Sequence, residues 1–234
     1  MPDRYGRDDS GMPPLRVPFW QPEPMAGIKD WHDWHQPYAD PESPLSQRLR
    51  LVQRHVAAWL DEHPEPTLTV VSACAGQGRD LLGVLAGRAD AGRVRATLIE
   101  FDPRNAAVAR ELAAGTGADV TVVCGDAGAT AAYADAVPAD LVLLAGVLGN
   151  ISDDDVRGTV TALPQLCAPN ATVVWTRTRR APDLTPAIRS WFAEAGFAER
   201  AFHAPDDVLF SVGVHRLTAP PRRLDPSLRL FRFT

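Results

Sequence analysis

TLTVVSACAGQGRDLLGVL, residues 67–85, decides how this chain reads. A run rich in β-branched residues, Thr67 to Val71, gives way to Ser72, Ala73, Cys74 and Ala75, passes through Gly76-Gln77-Gly78, and resumes with leucines at helical spacing. The first part is a strand by composition and the last a helix by period. The small residues between them bring bare backbone to the carboxyl end of the strand. In an open α/β sheet ligands bind at that end, where a tight turn and a helix start present main-chain N–H groups. Glycines there also serve simply to turn the chain, so the stretch alone leaves both roles open.

The surrounding sequence repeats the alternation. After Ser43-Pro44, Leu45, Leu49, Val52, Val56 and Leu60 recur at helical steps as far as Pro64. Strands are expected at about 67–73, 94–100, 119–124, 139–144 and 171–177, with helices at about 78–88, 103–115, 128–135 and 153–166. Ser43-Pro44 and Asp102-Pro103 each place an N-cap before a first-turn proline, and Ser152 with Asp155 has the form of a capping box. Strands that alternate with helices pair in parallel through right-handed crossovers. The apolar runs VVSA and LVLL suit a sheet covered on both faces.

After a helix at about 183–195 the pattern changes. FAERAFHA and DVLFSVGVHRL are joined by Pro205-Asp206-Asp207, too short for a parallel crossover, so an antiparallel hairpin is expected. The fold class is therefore α/β: a doubly wound, mostly parallel sheet with a C-terminal antiparallel β-hairpin and an N-terminal helical lid.

Composition sets the limits. With 234 residues, a net charge of −5 and 45% hydrophobic residues, the chain reads as an ordinary globular protein. Cys74, Cys124 and Cys167 lie far apart, with no CxxC pair and no metal-ligand spacing, so neither a disulfide framework nor a metal is expected. No apolar run reaches the roughly 18 residues of a membrane helix, and no signal segment is visible, so the expectation is a cytoplasmic protein without a membrane partner. The acidic balance argues against nucleic acid. Residues 1–28, with Phe19 and Trp20, read as a Pro-rich segment, 29–64 as a helical lid and 65–234 as the α/β domain.

The other strand ends narrow the chemistry. Glu100 ends the second strand, where a carboxylate can take both hydroxyls of a ribose. The third ends in Cys124-Gly125-Asp126-Ala127 and the fourth in Ala145-Gly146-Val147, small residues on which a ligand can lie flat. At this point SACAGQGRD, LIEFD, CGDAG and LLAGVLGN resemble successive motifs of the class I S-adenosylmethionine-dependent methyltransferases, over residues 67–216. That resemblance implies a seven-stranded sheet ending in a β-hairpin, S-adenosyl-L-methionine as cofactor and S-adenosyl-L-homocysteine as product. It further implies that Ala73, Cys74, Ala75, Gly76 and Gly78 line the methionine part, that Glu100 binds the ribose, that Phe101 packs on the adenine, that Asp126 and Ala127 meet the adenine edge, and that Ala145 and Gly146 close the floor.

This sequence departs from the family where Ser72 replaces an acidic residue and Cys74 the first glycine, leaving Asp80 and backbone carbonyls to hold the cofactor's ammonium. Leu81 stands where a dinucleotide turn carries its third glycine, which weighs against NAD.

WHDWHQPY, residues 31–38, sets Trp31, Trp34, His35 and Tyr38 on one side of a helix that Pro37 should end before Tyr38. The segment is either a stripe packed on the sheet or a lid whose aromatic faces meet a sulfonium, with Tyr38 the cofactor contact. Methyl transfer needs no acid, and needs a base only for an acceptor that loses a proton. His35, Tyr38 and Asn150 are the catalytic candidates, His32 and His203 are further possible bases, and His55 and His215 read as core. Arg177, Arg179 and Arg180 form either a solvated cluster or an anion site for the acceptor. The chain is expected to methylate a small molecule. A non-catalytic S-adenosylmethionine-binding protein and an NAD-dependent oxidoreductase are the alternatives.

Overall fold

The computed structural model describes Trp31 and residues 33–233, with Trp34 and His35 described in backbone only. The Pro-rich segment 1–28, with Phe19 and Trp20, and His32 lie outside the described residues. The β-branched runs form seven strands: β1 (Leu68–Ala73), β2 (Val94–Glu100), β3 (Asp119–Cys124), β4 (Ala139–Leu144), β5 (Cys167–Thr178), β6 (Phe197–His203) and β7 (Phe210–Leu217). Between them lie α1 (Pro44–Glu62), before β1, then α2 (Arg79–Leu85), α3 (Pro103–Ala114), α4 (Asp153–Ala162) and α5 (Thr185–Glu194). One sheet holds all seven strands in the order β3-β2-β1-β4-β5-β7-β6, with β7 antiparallel to both neighbours. The doubly wound sheet with its C-terminal hairpin is thus the fold. Strand order reverses between β1 and β4, which opens a crevice beyond their carboxyl ends.

Side-chain alternation explains the continuous apolar strands. Val71, Ala73, Val142 and Leu144 face one core, with Trp175, Phe192 and Phe231. Leu68, Val70, Leu141 and Leu143 face the other, with Val52, Val56, Leu60 and Leu85. Burying each such aliphatic side chain stabilises the fold by about 1.5–3 kcal/mol. Trp175 fits only because Gly213 lies opposite, where a Cβ would stand 2.3 Å from the indole. The indole N–H donates to Nδ1 of His215 at 3.1 Å, and burial lowers the His215 pKa to about 4, so this ring is a neutral core group.

The expected caps form. Ser43 Oγ accepts the Ser46 N–H, Asp102 that of Arg104, and Ser152 that of Asp155. The return half of the capping box does not form, because the Asp155 carboxylate accepts the Arg232 N–H instead. Three other departures have tertiary causes. Where a helix was expected over 128–135 there is only a 3₁₀ turn, Thr130–Tyr133, whose first residue bonds through its hydroxyl to the carbonyls of Asp225 and Leu228. β5 begins at Cys167 because Cys167 already pairs with Ala139, ahead of a register shift in which β5 carries the extra residues before Thr172 pairs with Leu141. The aromatic segment is a 3₁₀ helix, Asp33–Ala39, that runs through Pro37 and past Tyr38 rather than stopping before it. A tighter turn avoids the clash that proline makes in an α-helix, and the Pro37 carbonyl accepts from Asp40 N and Ser43 Oγ at the start of α1.

The segment after the hairpin was not read as structure. Residues 218–233 strap back over α4 to the carboxyl rim of the sheet. Leu230 N donates to the Gly128 carbonyl at 2.7 Å, and Thr159 Oγ1 to the Leu230 carbonyl at 2.9 Å. Ala129 bridges Arg229 and Ile151 bridges Phe233. Leu230 and Phe231 are buried, and a Cβ on Gly128 would stand 2.3 Å from the Phe231 carbonyl oxygen. The strap is therefore part of the core.

Candidate active site

A cavity of about 570 Å³ opens at the β1–β4 switch point, in the usual range for small-molecule sites. The strand-end turns form its floor. Cys74, Gly76 and Gly78 have φ of 50°, 57° and 69°, so left-handed residues alternate through the turn after β1. The Cys74 conformation is the strained one, costing a non-glycine residue about 1–2 kcal/mol. Gly78 serves packing rather than ligand approach: its missing Cβ would lie 2.6 Å from Leu98 and 2.8 Å from Leu82, and Gly78 does not line the cavity. Ala73 does not line it either, since its side chain joins the core below the turn.

Glu100 ties the floor together. Its Oε2 accepts the Gly76 N–H at 2.7 Å and its Oε1 the Asp102 N–H at 2.9 Å, which fixes a buried carboxylate against the cavity. Burial raises its pKa, and these backbone donors oppose the rise. Phe101, beside it, is an apolar ring at the cavity edge, 54% exposed. Asp126 accepts the Gly128 N–H at 2.8 Å and pairs with Arg229 of the strap at 2.8 Å. Ala127, Ala145 and Gly146 complete the floor. Gly146, at φ 82°, is held at both ends of its peptide: its N–H donates to Thr176 Oγ1 at 2.8 Å, and its carbonyl accepts from Asn150 Nδ2 at 2.6 Å.

Asp80 lies at the other end of the cavity. Burial pushes its carboxyl up to about 6, although its Oδ1 accepts the Leu81 N–H and the positive charge of Arg48 acts on it. Arg48 reaches the Tyr38 hydroxyl at 3.5 Å, and the Arg79 guanidinium lies 5.7 Å from the Tyr38 ring. Burial raises the Tyr38 pKa, so the phenol keeps its proton. Burial likewise pushes the Cys74 thiol well above the ordinary thiol range.

The structure thus gathers Tyr38, Cys74, Ala75, Gly76, Asp80, Glu100, Phe101, Asp126, Ala127, Ala145 and Gly146 around one cavity. It separates others. Asn150 braces the floor from behind instead of lining the cavity. His203 packs on His55, ring centroids 4.9 Å apart, away from the cavity. Arg177 is turned onto the Leu148 carbonyl and Asp153, and Arg179 onto the carbonyls of Pro205 and Val208. Trp31, by contrast, lines the cavity and packs on Phe233 at 5.3 Å.

Sequence reasoning missed Arg48 and Asn105, and it missed Arg229, Arg232 and Phe233 of the strap, all of which line the cavity. The strap had a signal: LRLFRF, residues 228–233, mixes apolar and basic residues in the manner of an edge strand.

Among solved structures the likeness is one of fold. Magnesium protoporphyrin IX methyltransferase from Synechocystis PCC 6803, solved with S-adenosylhomocysteine, is 15% identical over 79% of this chain and 92% of its own, with a TM-score of 0.58. The 1,6-didemethyltoxoflavin N1-methyltransferase of Burkholderia thailandensis, solved with 1,6-didemethyltoxoflavin and S-adenosylhomocysteine, is 18% identical over 81% of this chain and 84% of its own, also at 0.58. The [4+2]-cyclase SpnF is 14% identical over 78% and 85%, at 0.55. No protein-family model and no curated protein matches the sequence. The chain has the class I methyltransferase fold. No described helix is long and apolar enough to cross a membrane.

Proposed function

We propose that this protein binds S-adenosylmethionine and transfers its methyl group to a small-molecule acceptor. One observation carries the reading: the Glu100 carboxylate, buried at the end of β2 beside the strand-order reversal, lines the cavity, and its two backbone donors do not use up the lone pairs it can offer to ribose hydroxyls. The rest of the lining fits the same ligand. Phe101 offers a face for adenine, Asp126 and Ala127 its edge, and Ala145 with Gly146 a flat floor. Cys74, Ala75 and Gly76 follow the methionine chain. Asp80 accepts from its ammonium, and Arg48 donates to its carboxylate. Tyr38, carried by the 3₁₀ segment as a lid, sets an aromatic ring near the sulfonium.

Bound there, S-adenosylmethionine supplies a methyl group on positively charged sulfur, displaced in line with the carbon–sulfur electron pair left on sulfur. The residues of this chain hold the acceptor against it and exclude water. Tyr38 and Cys74 keep their protons, so neither serves as a base. His35 is the candidate for an acceptor that must lose one.

Calorimetry with S-adenosylhomocysteine tests the reading. Binding in the micromolar range that weakens about a hundredfold or more in Glu100→Ala supports it, two charge-assisted bonds being worth about 1.5–3 kcal/mol each. No heat, or an unchanged affinity in the variant, sinks it; tighter binding of NAD would favour the oxidoreductase instead. A second reading, ligand binding with chemistry other than methylation, draws on the cyclase that shares this fold. S-adenosylhomocysteine binding without turnover across a broad acceptor panel would favour it.

A further inference from the structure

The charges lining the cavity are unevenly matched. Asp126 neutralises Arg229, Gln77 Oε1 accepts from Arg79 at 2.8 Å, and Arg48 bonds to Tyr38 near Asp80. Arg232 differs: its backbone N–H is held by Asp155, but its guanidinium makes no ion pair or side-chain hydrogen bond to any described residue. It stands at the cavity edge beside Phe233, which is 41% exposed and forms an aromatic corner with Trp31 at 5.3 Å and Phe231 at 5.6 Å. The backbone that carries them is held in place: Leu230 and Phe231 are buried, and Phe233 is bridged to Ile151. With the backbone already ordered, binding need restrict only the side chains.

Building on the methyl-transfer reading, we propose that the acceptor is an aromatic carboxylate, its anion taken by the Arg232 guanidinium and its ring by the corner of Phe233 and Trp31. The chemistry is complementary in three ways. A guanidinium presents paired donors that match a carboxylate. A planar acceptor meets aromatic faces and edges, the arrangement such rings favour. An anion at this edge also offsets the positive sulfur that the bound donor brings to the same cavity. The arginines at the end of β5 cannot take this part, because Arg177 and Arg179 are turned onto main-chain carbonyls.

The test uses the full chain saturated with S-adenosylhomocysteine and titrated, by ligand-observed NMR, with benzoate-, cinnamate- and indole-ring acids, each beside its neutral amide. At least one acid is expected to bind about tenfold tighter than its amide, and Arg232→Gln to abolish that ratio without changing the S-adenosylhomocysteine affinity. Phe233→Leu should weaken acid and amide alike. Equal binding of acids and amides, binding of neither up to about 10 mM, or a ratio that survives in Arg232→Gln overturns the proposal. Failure of S-adenosylhomocysteine itself to bind the wild-type chain overturns the methyl-transfer reading and this proposal with it, and is seen before any acid is added.

Discussion

The floor of the cavity is built from residues at or next to strand ends, whereas its opposite wall comes from residues 31–52 and 229–233, which reach it only through tertiary packing. The floor's shape is set locally: left-handed turns, backbone donors onto Glu100, and the braced Gly146 peptide. The wall is set by the Ser43 and Pro37 contacts on one side and the Gly128–Leu230 contact on the other. A floor of this kind can be read from short motifs, and a wall of this kind cannot.

Substitutions can separate the two. The largest expected effect is on the floor: Gly78→Val must adopt a left-handed φ and push aside Leu98 and Leu82, so unfolding in urea should show a loss of about 3–4 kcal/mol. Gly128→Ala strikes the seat of the strap, where the obstacle is the Phe231 carbonyl, and should cost about 2–3 kcal/mol. If the wall is as integral as the floor, this variant unfolds in one transition at lower denaturant; separate loosening of the strap, seen as fast amide exchange confined to 228–233, would break the comparison.

Asp80 comes next and has a sign to be checked. Its carboxyl is raised from 3.8 to about 6 in the fold, so the native state holds a proton that the unfolded chain releases between those values. Stability should therefore fall by about 2–3 kcal/mol as pH rises through that window, and stay level above it. Asp80→Asn should gain about 2 kcal/mol at pH 7.5 in a thermal melt while losing about tenfold in S-adenosylhomocysteine affinity. The affinity of the wild-type chain should fall as pH drops through about 6, because the ammonium needs the ionised form.

The smallest effect belongs to Thr176→Val, which keeps shape but leaves the Gly146 N–H unbonded. A loss of about 1–2 kcal/mol in stability, with weaker S-adenosylhomocysteine binding, is expected. A stability loss with full affinity would mean that the floor tolerates movement.

What the sequence made legible follows the same division. β2, β3 and β4 end where the residue pattern ends, and Glu100, Asp126 and Ala145 come together because parallel strands place their carboxyl ends on one rim. Ala73 was assigned to the ligand because the motif runs through it, but strand alternation sends its side chain into the core. Arg177 and Arg179 could not be placed from sequence, since their nearest acceptors are carbonyls in loops remote along the chain. The 3₁₀ turn at Thr130–Tyr133 answers to the strap, which lies about 95 residues further along the chain and carries no signal but the mixed apolar and basic run LRLFRF.

The burial of Leu230 and Phe231 also bears on proteolysis. A chain cut after Leu217 would keep every strand and every floor donor but lose Arg229, Arg232 and Phe233 from the cavity lining. Such a clipped form should retain ligand poorly and expose the apolar side chains that Leu230 and Phe231 now cover.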